Sequence, residues 1–351
     1  MRYAAPLLAM GMLLLTGCAT SVGYLVKQGG YLLRDGSGAR PVDELLKTAS
    51  TPADTRQFLL LVGEIKRFAV MDVGLKDNGN YGRYKELSRD HLVDVVSACD
   101  AVSFTPYLWS YPFLGRLPYK GFYEKPDAQA EAARLKKEGW DVIVRPVDAF
   151  STLGFTKDPL YSFMKRYPPF ELASLIIHEQ THATLFVKGQ PEFNEELATF
   201  VGDEGAFEWM REKYGQESPE YRAAVDQQAD SATFIDLLRG VSGELDVVYK
   251  GPGSREEKLA QKARIIGDFQ ERLGEEGATR FRTEGYRELG NLRLNNAYLS
   301  LYSLYSNDVP LLRSYWEKRC GSDLRAFMQR AAAFAKKGDV KSQMRAELAS
   351  S

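Results

Sequence analysis

The sequence predicts an α+β protein, with a small mixed sheet within residues 43–160 followed by a mainly helical region over 161–351. Two observations predict it. Residues 91–124 are rich in aromatics, Gly and Pro, the pattern of strands and turns, and short β-branched runs follow at 141–145 and 149–155. From Pro168 onward, apolar residues recur at helical spacing in long segments. A chain of 351 residues, 44% hydrophobic and 26% charged, suits one large globular domain or two smaller ones. The formal net charge of −1 gives no reason to expect nucleic acid or an anionic surface as partner.

The elements follow in order. Residues 1–17 read as a signal peptide: Arg2 is the positive start, and Ala4 to Leu15 is an apolar run too short to span a bilayer. The run ends in Leu15-Thr16-Gly17-Cys18, which resembles the lipobox of bacterial lipoproteins. That resemblance implies cleavage before Cys18 and lipid on its thiol; a plain secretory signal is the alternative. Ala19 stands where inner-membrane retention signals carry Asp, which favours the outer membrane, facing the periplasm. Residues 18–42 are Gly-rich and read as a tether, and 43–351 as the folded domain. Cys99 and Cys320 remain as thiols that an oxidising compartment permits to pair, and two free thiols fit the sequence equally.

Asp43 to Lys47 opens a helical segment. A second helix starts with Thr51 as N-cap and Pro52 at the first helical position, with Phe58, Leu59, Val62, Ile65 and Ala69 as its apolar stripe. His91 to Ala98 reads as a strand, Pro126 to Gly139 as a helix closed by glycine, and Asp141 to Arg145 as a strand. A further strand is expected over Ala149 to Phe155, stopped by Asp158-Pro159. Helices are expected near 169–187, 193–214, 218–239, 254–288, 291–305 and 310–334, the third and fourth forming a long antiparallel hairpin.

The chemistry concentrates in His178-Glu179-Gln180-Thr181-His182, an H-E-x-x-H pattern inside an apolar helical run. Residues four apart share a helix face, so both imidazoles reach one metal ion. Glu179 is placed to act on a metal-activated water as general base rather than on the metal. The bland alternative is an amphipathic helix with two surface histidines. A catalytic zinc needs a third protein ligand. His91, the one remaining histidine, sits in another segment, and the better source is the acidic pair Glu195-Glu196 opening the next helix. The two glutamates point about 100° apart, and their apolar neighbours do not decide between them.

Asn194-Glu195-x-x-Ala198 resembles the Asn-Glu-Gly-x-Ala segment of gluzincin metallopeptidases, whose Glu is a zinc ligand. The wider chain resembles a bacterial family of zinc aminopeptidase lipoproteins. Further matching pieces are Pro118-Tyr119-Lys120-Gly121-Phe122, Ser151-Thr152-Leu153-Gly154 with Asp158-Pro159-Leu160, and Leu294-Asn295-Asn296-Ala297. The resemblance implies a gluzincin-like fold, Zn2+ as cofactor, a peptide or protein substrate, and the ligand set His178, His182 and Glu195. It implies that Ser151, Thr152, Leu153 and Gly154 form an edge strand binding substrate backbone. It implies an oxyanion donor among Tyr298, Tyr302 and Tyr305, with Tyr305 the best match, and a role for Asn295 and Asn296 in ordering the site or binding substrate. Core packing is the plain reading of the tyrosine stripe. The aminopeptidase subclass rests on the resemblance alone; an endopeptidase of the periplasm and a non-catalytic zinc lipoprotein are the alternatives. Only twelve residues separate His182 from Glu195, fewer than in the better-known gluzincins, so a tight turn is expected.

Overall fold

The computed structural model describes residues 24, 27, 30–31, 38–111, 115–147, 157–287, 289, 292–303 and 309–350. Within them the chain is α+β and mostly helical. Strand β1 (Arg40–Pro41) runs into α1 (Val42–Lys47), and α2 (Ala53–Met71) follows. Pro52 takes the N-cap position of α2 rather than the first helical one. The Thr51 hydroxyl is turned away from the helix and donates to the Leu45 carbonyl at 2.7 Å. Phe58, Leu59, Val62, Ile65 and Ala69 are all buried, as their spacing predicts.

The expected single mixed sheet is instead three small sheets, because pairing jumps along the chain. In the first, β2 (Arg83–Lys85) lies antiparallel to β1 and parallel to β8 (Leu160–Tyr161). In the second, β3 (Val93–Asp100) is flanked by β6 (Tyr119–Phe122) and β7 (Trp140–Val147), both antiparallel to it. The third is a hairpin of β4 (Trp109–Tyr111) and β5 (Gly115–Leu117). Helix α3 (Lys125–Lys137) covers the second sheet, setting Ala128, Ala132 and Leu135 against Val96, Ala98, Phe122 and Val142. The strand expected over 149–155 lies outside the described residues.

The rest is helical: α4 (Pro169–Thr184), α5 (Pro191–Tyr214), α6 (Pro219–Lys250), α7 (Arg255–Arg280), the short α8 (Glu284–Arg287), α9 (Asn296–Ser303), α10 (Val309–Cys320), α11 (Leu324–Ala335) and α12 (Val340–Ala349). Three of the expected helices differ in extent: the one expected over 254–288 ends at Arg280 and resumes only as the short α8. Helix α6 does not stop at 239 but runs through Gly240 and Gly243, because Leu238, Val241 and Leu245 keep burying one continuous face. The segment 310–334 is broken at Gly321 and Ser322, which both adopt positive φ, and Asp323 then caps α11 through the Ala326 N–H at 2.9 Å.

The main core gathers α2, α4, α5, α10, α11 and α12, with α5 at its centre. A second core fills the α6–α7 hairpin and α9. Lys262 of α7 ties that hairpin to the second sheet, donating to the Ala101 carbonyl at 3.0 Å and pairing with Asp141. The described residues of the expected tether lie against the domain: Tyr24 packs edge-on to Phe122, Tyr31 stacks on Tyr123, and Lys27 pairs with Asp127 at 2.5 Å. Cys18 lies outside the described residues, and no helix among those described is long and apolar enough to cross a membrane. Cys99 and Cys320 are free thiols, and burial pushes the Cys99 thiol up to about 12.

Candidate metal centre

The local sequence makes α4 two-sided. Pro168 and Pro169 start it, where the lost N–H groups would be unbonded anyway. Phe170, Leu172, Ala173, Ile176 and Ile177 face the core. Glu171, Ser174, His178 and His182 recur at spacings of three and four on the other side, with Glu179 beside His178. Helix α5 packs along α4 at very short range. A Cβ on Gly202 would sit 2.9 Å from the Ser174 carbonyl oxygen and 3.1 Å from the His178 Cβ. Gly205 meets Ile177 in the same way, at 3.1 Å. These two glycines let the helices approach until residues at the start of α5 reach the imidazoles of α4.

The turn between the helices is tight, as twelve intervening residues require. Asn194 clamps it. Its buried side chain accepts from the Val187 N–H at 2.8 Å and donates to the Val187 carbonyl at 2.9 Å. Gly189 adopts φ +80 at the bend. Asn194 thereby fixes where Glu195 begins.

Glu195 and Glu196 part company. Glu195 points to the histidines, with carboxylate oxygens 3.5 Å from His182 Nε2 and 3.8 Å from His178 Nε2. Glu196 turns inward, is buried, and pairs with Lys341 of α12 at 3.0 Å. The two imidazole Nε2 atoms face each other at 3.1 Å. Among the described residues, His178, His182 and Glu195 are the group of three whose donor atoms all lie within 4.8 Å of one another. Two ligands about 2.0–2.1 Å from one ion in a tetrahedral arrangement sit roughly 3.3 Å apart. The observed separations match that edge length closely enough for a zinc ion to fit with only side-chain adjustment. The donors are two imidazoles and a carboxylate, and the Glu195 side chain is itself exposed to solvent.

Electrostatics favour the ligating forms. Burial first, then the neighbouring His182, push the His178 imidazole down to about 4, with Glu195 opposing. A hydrogen bond to His182 holds the Glu195 carboxyl below the usual carboxylate range, against the effect of burial. Near neutral pH this leaves His178 unprotonated and Glu195 ionised.

The other expected site residues divide. Glu179 shares with His178 the wall of a cavity of about 370 Å³ that runs back along α4. Ser151, Thr152, Leu153, Gly154 and Tyr305 lie outside the described residues. Tyr298 and Tyr302 pack together with their hydroxyls 3.3 Å apart, and Tyr302 meets Phe234 edge-on, the core role of an aromatic stripe. Asn295 and Asn296 are engaged within the fold. Asn296 is fully buried and bonds to the carbonyls of Asp100 and Ser103, the Asp141 carboxylate and the Tyr249 hydroxyl. Asn295 donates to the Val142 carbonyl at 3.2 Å and caps α9 through the Tyr298 N–H at 2.9 Å. Their amides are consumed in joining α9 to the second sheet. His91 is bonded to Asp90 and Asp94, away from the cluster.

Tyr81 is a residue that sequence reasoning missed. It is buried and holds φ +60, a strained value for a bulky side chain and one that clusters at functional sites. Burial, with the Glu179 carboxylate as the next cause, keeps its hydroxyl protonated well above the usual range. The turn sequence Asn78-Gly79-Asn80-Tyr81-Gly82 is the signal that could have drawn attention to it.

A family model described as "Putative aminopeptidase" matches residues 23–346. Comparison with curated proteins and with solved structures gives no match.

Proposed function

The chain belongs to the "Putative aminopeptidase" family, and from that membership we propose that it is a zinc-dependent, gluzincin-like peptidase, an aminopeptidase in subclass. The observation that carries the proposal is the cluster of His178 Nε2, His182 Nε2 and a Glu195 carboxylate oxygen within 4.8 Å. The family supports peptidase chemistry in general, and this donor set supports zinc as its cofactor. Zinc held there supplies a Lewis acid and lowers the pKa of a water to about 7.

The chain's own residues do the rest. Glu179, next to His178 but outside the donor cluster, accepts a proton from the attacking water and returns it to the leaving amine. The Glu196–Lys341 pair and the Asn194 clamp hold the start of α5 so that Glu195 keeps its aim. Tyr81, buried and protonated, stands near Glu179 as a neutral neighbour of the base. Glu179 itself argues against a purely structural metal site, which has no use for a base beside a ligand. We also propose that the mature chain is anchored through a lipid on Cys18 to the outer membrane, facing the periplasm. The lipobox-like Leu15-Thr16-Gly17-Cys18 supports this, and the family match starts just after it.

Metal content of purified variants tests the ligand set. Wild type and Glu196→Ala should hold one zinc per chain, and His182→Ala and Glu195→Ala should lose it. Zinc retained in Glu195→Ala but lost in Glu196→Ala would assign the ligand to the other glutamate. Cys18→Ser should release the protein from membranes; membrane retention after signal cleavage would require another anchor.

A further inference from the structure

The cavity beside the catalytic base has a chemical character that the zinc chemistry does not use. It holds about 370 Å³, enough for one or two residues of a ligand. At one end it opens on His178 and Glu179; from there it follows α4 towards its start, walled by α5, α6 and α8. Phe170, Leu175 and Tyr286 give it apolar sides. Its remaining charged groups are Glu171 and Asp203. Both are held in place by neutral donors: Gln227 donates to Glu171 at 2.5 Å, and the Ser174 hydroxyl donates to Asp203 at 2.7 Å. Among the described residues lining the cavity there is no Lys or Arg. Arg313, whose charge reaches Asp203, is bonded to Glu204.

We infer that this cavity is the specificity pocket of the peptidase and that it takes the side chain of a Lys or Arg whose carbonyl is attacked. The inference rests on the peptidase reading above and adds its substrate class. Apolar walls suit the aliphatic stem of such a side chain, and the two carboxylates set back along α4 suit its head.

Length decides between the two cations a peptide could offer. Glu171 precedes His178 by seven residues, roughly 10 Å along the helix, and Ser174, which holds Asp203, precedes it by four, roughly 6 Å. The α-ammonium of a substrate lies two bonds from the scissile carbonyl carbon, about 2.5 Å. A Lys ammonium lies six bonds away, about 7 Å. Asp203, held by Ser174, is thus set back from His178 by about the length of the long side chain and by more than that of the α-amine, and Glu171 lies roughly one further turn back.

Aminoacyl coumarin amides of Lys, Arg, Leu and Glu, free and N-acetylated, vary one residue and keep the leaving group constant. Zinc-loaded wild type should turn over the Lys and Arg amides with kcat/KM at least tenfold above Leu, and Glu should be slowest. Glu171→Gln combined with Asp203→Asn should shrink the Lys-to-Leu ratio about ten- to hundredfold, the worth of charge-assisted hydrogen bonds. Glu171→Lys should shift preference towards the Glu amide. Calorimetry on Glu179→Gln protein gives a readout independent of turnover: argininamide should bind at least tenfold tighter than leucinamide. A Lys-to-Leu ratio near one in wild type overturns the inference, as does a ratio unchanged in the double variant. Equal loss of Lys and Leu turnover in that variant would assign the pocket to the α-amine and overturn it too. In each of these cases, continued Leu hydrolysis leaves the peptidase reading intact. No hydrolysis of any amide would remove the peptidase reading, and equal binding of the two amino-acid amides would then dispose of the pocket as well.

Discussion

Gly202→Ala probes how the centre is assembled without touching a ligand. The new Cβ would lie 2.9 Å from the Ser174 carbonyl oxygen, 3.1 Å from the His178 Cβ and 3.4 Å from the His178 Cα. Two of these neighbours are backbone, so the clash cannot be relieved by a rotamer. Carbon contacts prefer about 3.5–4.0 Å, so α5 must move away from α4 by roughly half an ångström. Overpacking of this kind costs about 1–3 kcal/mol. Alanine recovers about 1 kcal/mol of helix propensity. The net change should be a destabilisation of up to about 2 kcal/mol. The displacement also carries Glu195 from the imidazoles, and zinc affinity should fall about 10–100-fold, as when residues that orient a ligand are lost. Chemical denaturation of the metal-free protein and competitive zinc titration read the two effects separately. Gly240→Ala is the control: nothing lies within 4 Å of its added Cβ, so it should stabilise by about 1 kcal/mol. A Gly202→Ala protein at least as stable as wild type, with unchanged zinc affinity, would refute this account of the helix contact.

Asn194→Ala leaves the Val187 N–H and carbonyl without their side-chain partner; it should destabilise the fold by about 1–3 kcal/mol in urea denaturation and weaken zinc binding, while Asn194→Asp should retain part of both. Burial raises the Glu208 carboxyl to about 7. The folded state therefore binds more protons than the unfolded state between about pH 4.5 and 7, and stability falls as pH rises through that window. Glu208→Gln should remove this loss, gaining about 1–2 kcal/mol above pH 7 after allowance for the solvent-exposed part of the group and little below pH 4.5; a gain that is constant across the range would show that its charge is not the cause.

Much of the frame was legible because burial imposes periodicity. The stripe from Phe58 to Ala69 predicted α2, and the apolar run around His178 predicted α4. The spacing of His178 and His182 also foretold that their imidazoles would share a face. What was not legible is non-local. Glu195 and Glu196 sit on neighbouring positions with apolar residues on both sides. The choice between them is made by Lys341, 145 residues away, which draws Glu196 inward. The sheets divide because β2 pairs with β8, a strand more than seventy residues later. Helix α6 outruns its glycines because buried leucines on either side outweigh their cost. Asn295 and Asn296 left two roles open, and sequence does not show that β3 and β7 present open carbonyls to them. The pocket beside Glu179 was invisible because its walls come from four separate helices whose packing the sequence does not show.

The central claim is that Glu179 acts as a base on a zinc site it does not itself build. The most direct test compares wild type and Glu179→Gln in zinc content and in hydrolysis of a free-amine peptide. The substitution keeps the size of the side chain and removes its basicity. Zinc should remain at one per chain in both proteins, while turnover should fall by roughly two to four orders of magnitude. Undiminished hydrolysis by Glu179→Gln with its zinc in place would contradict the account.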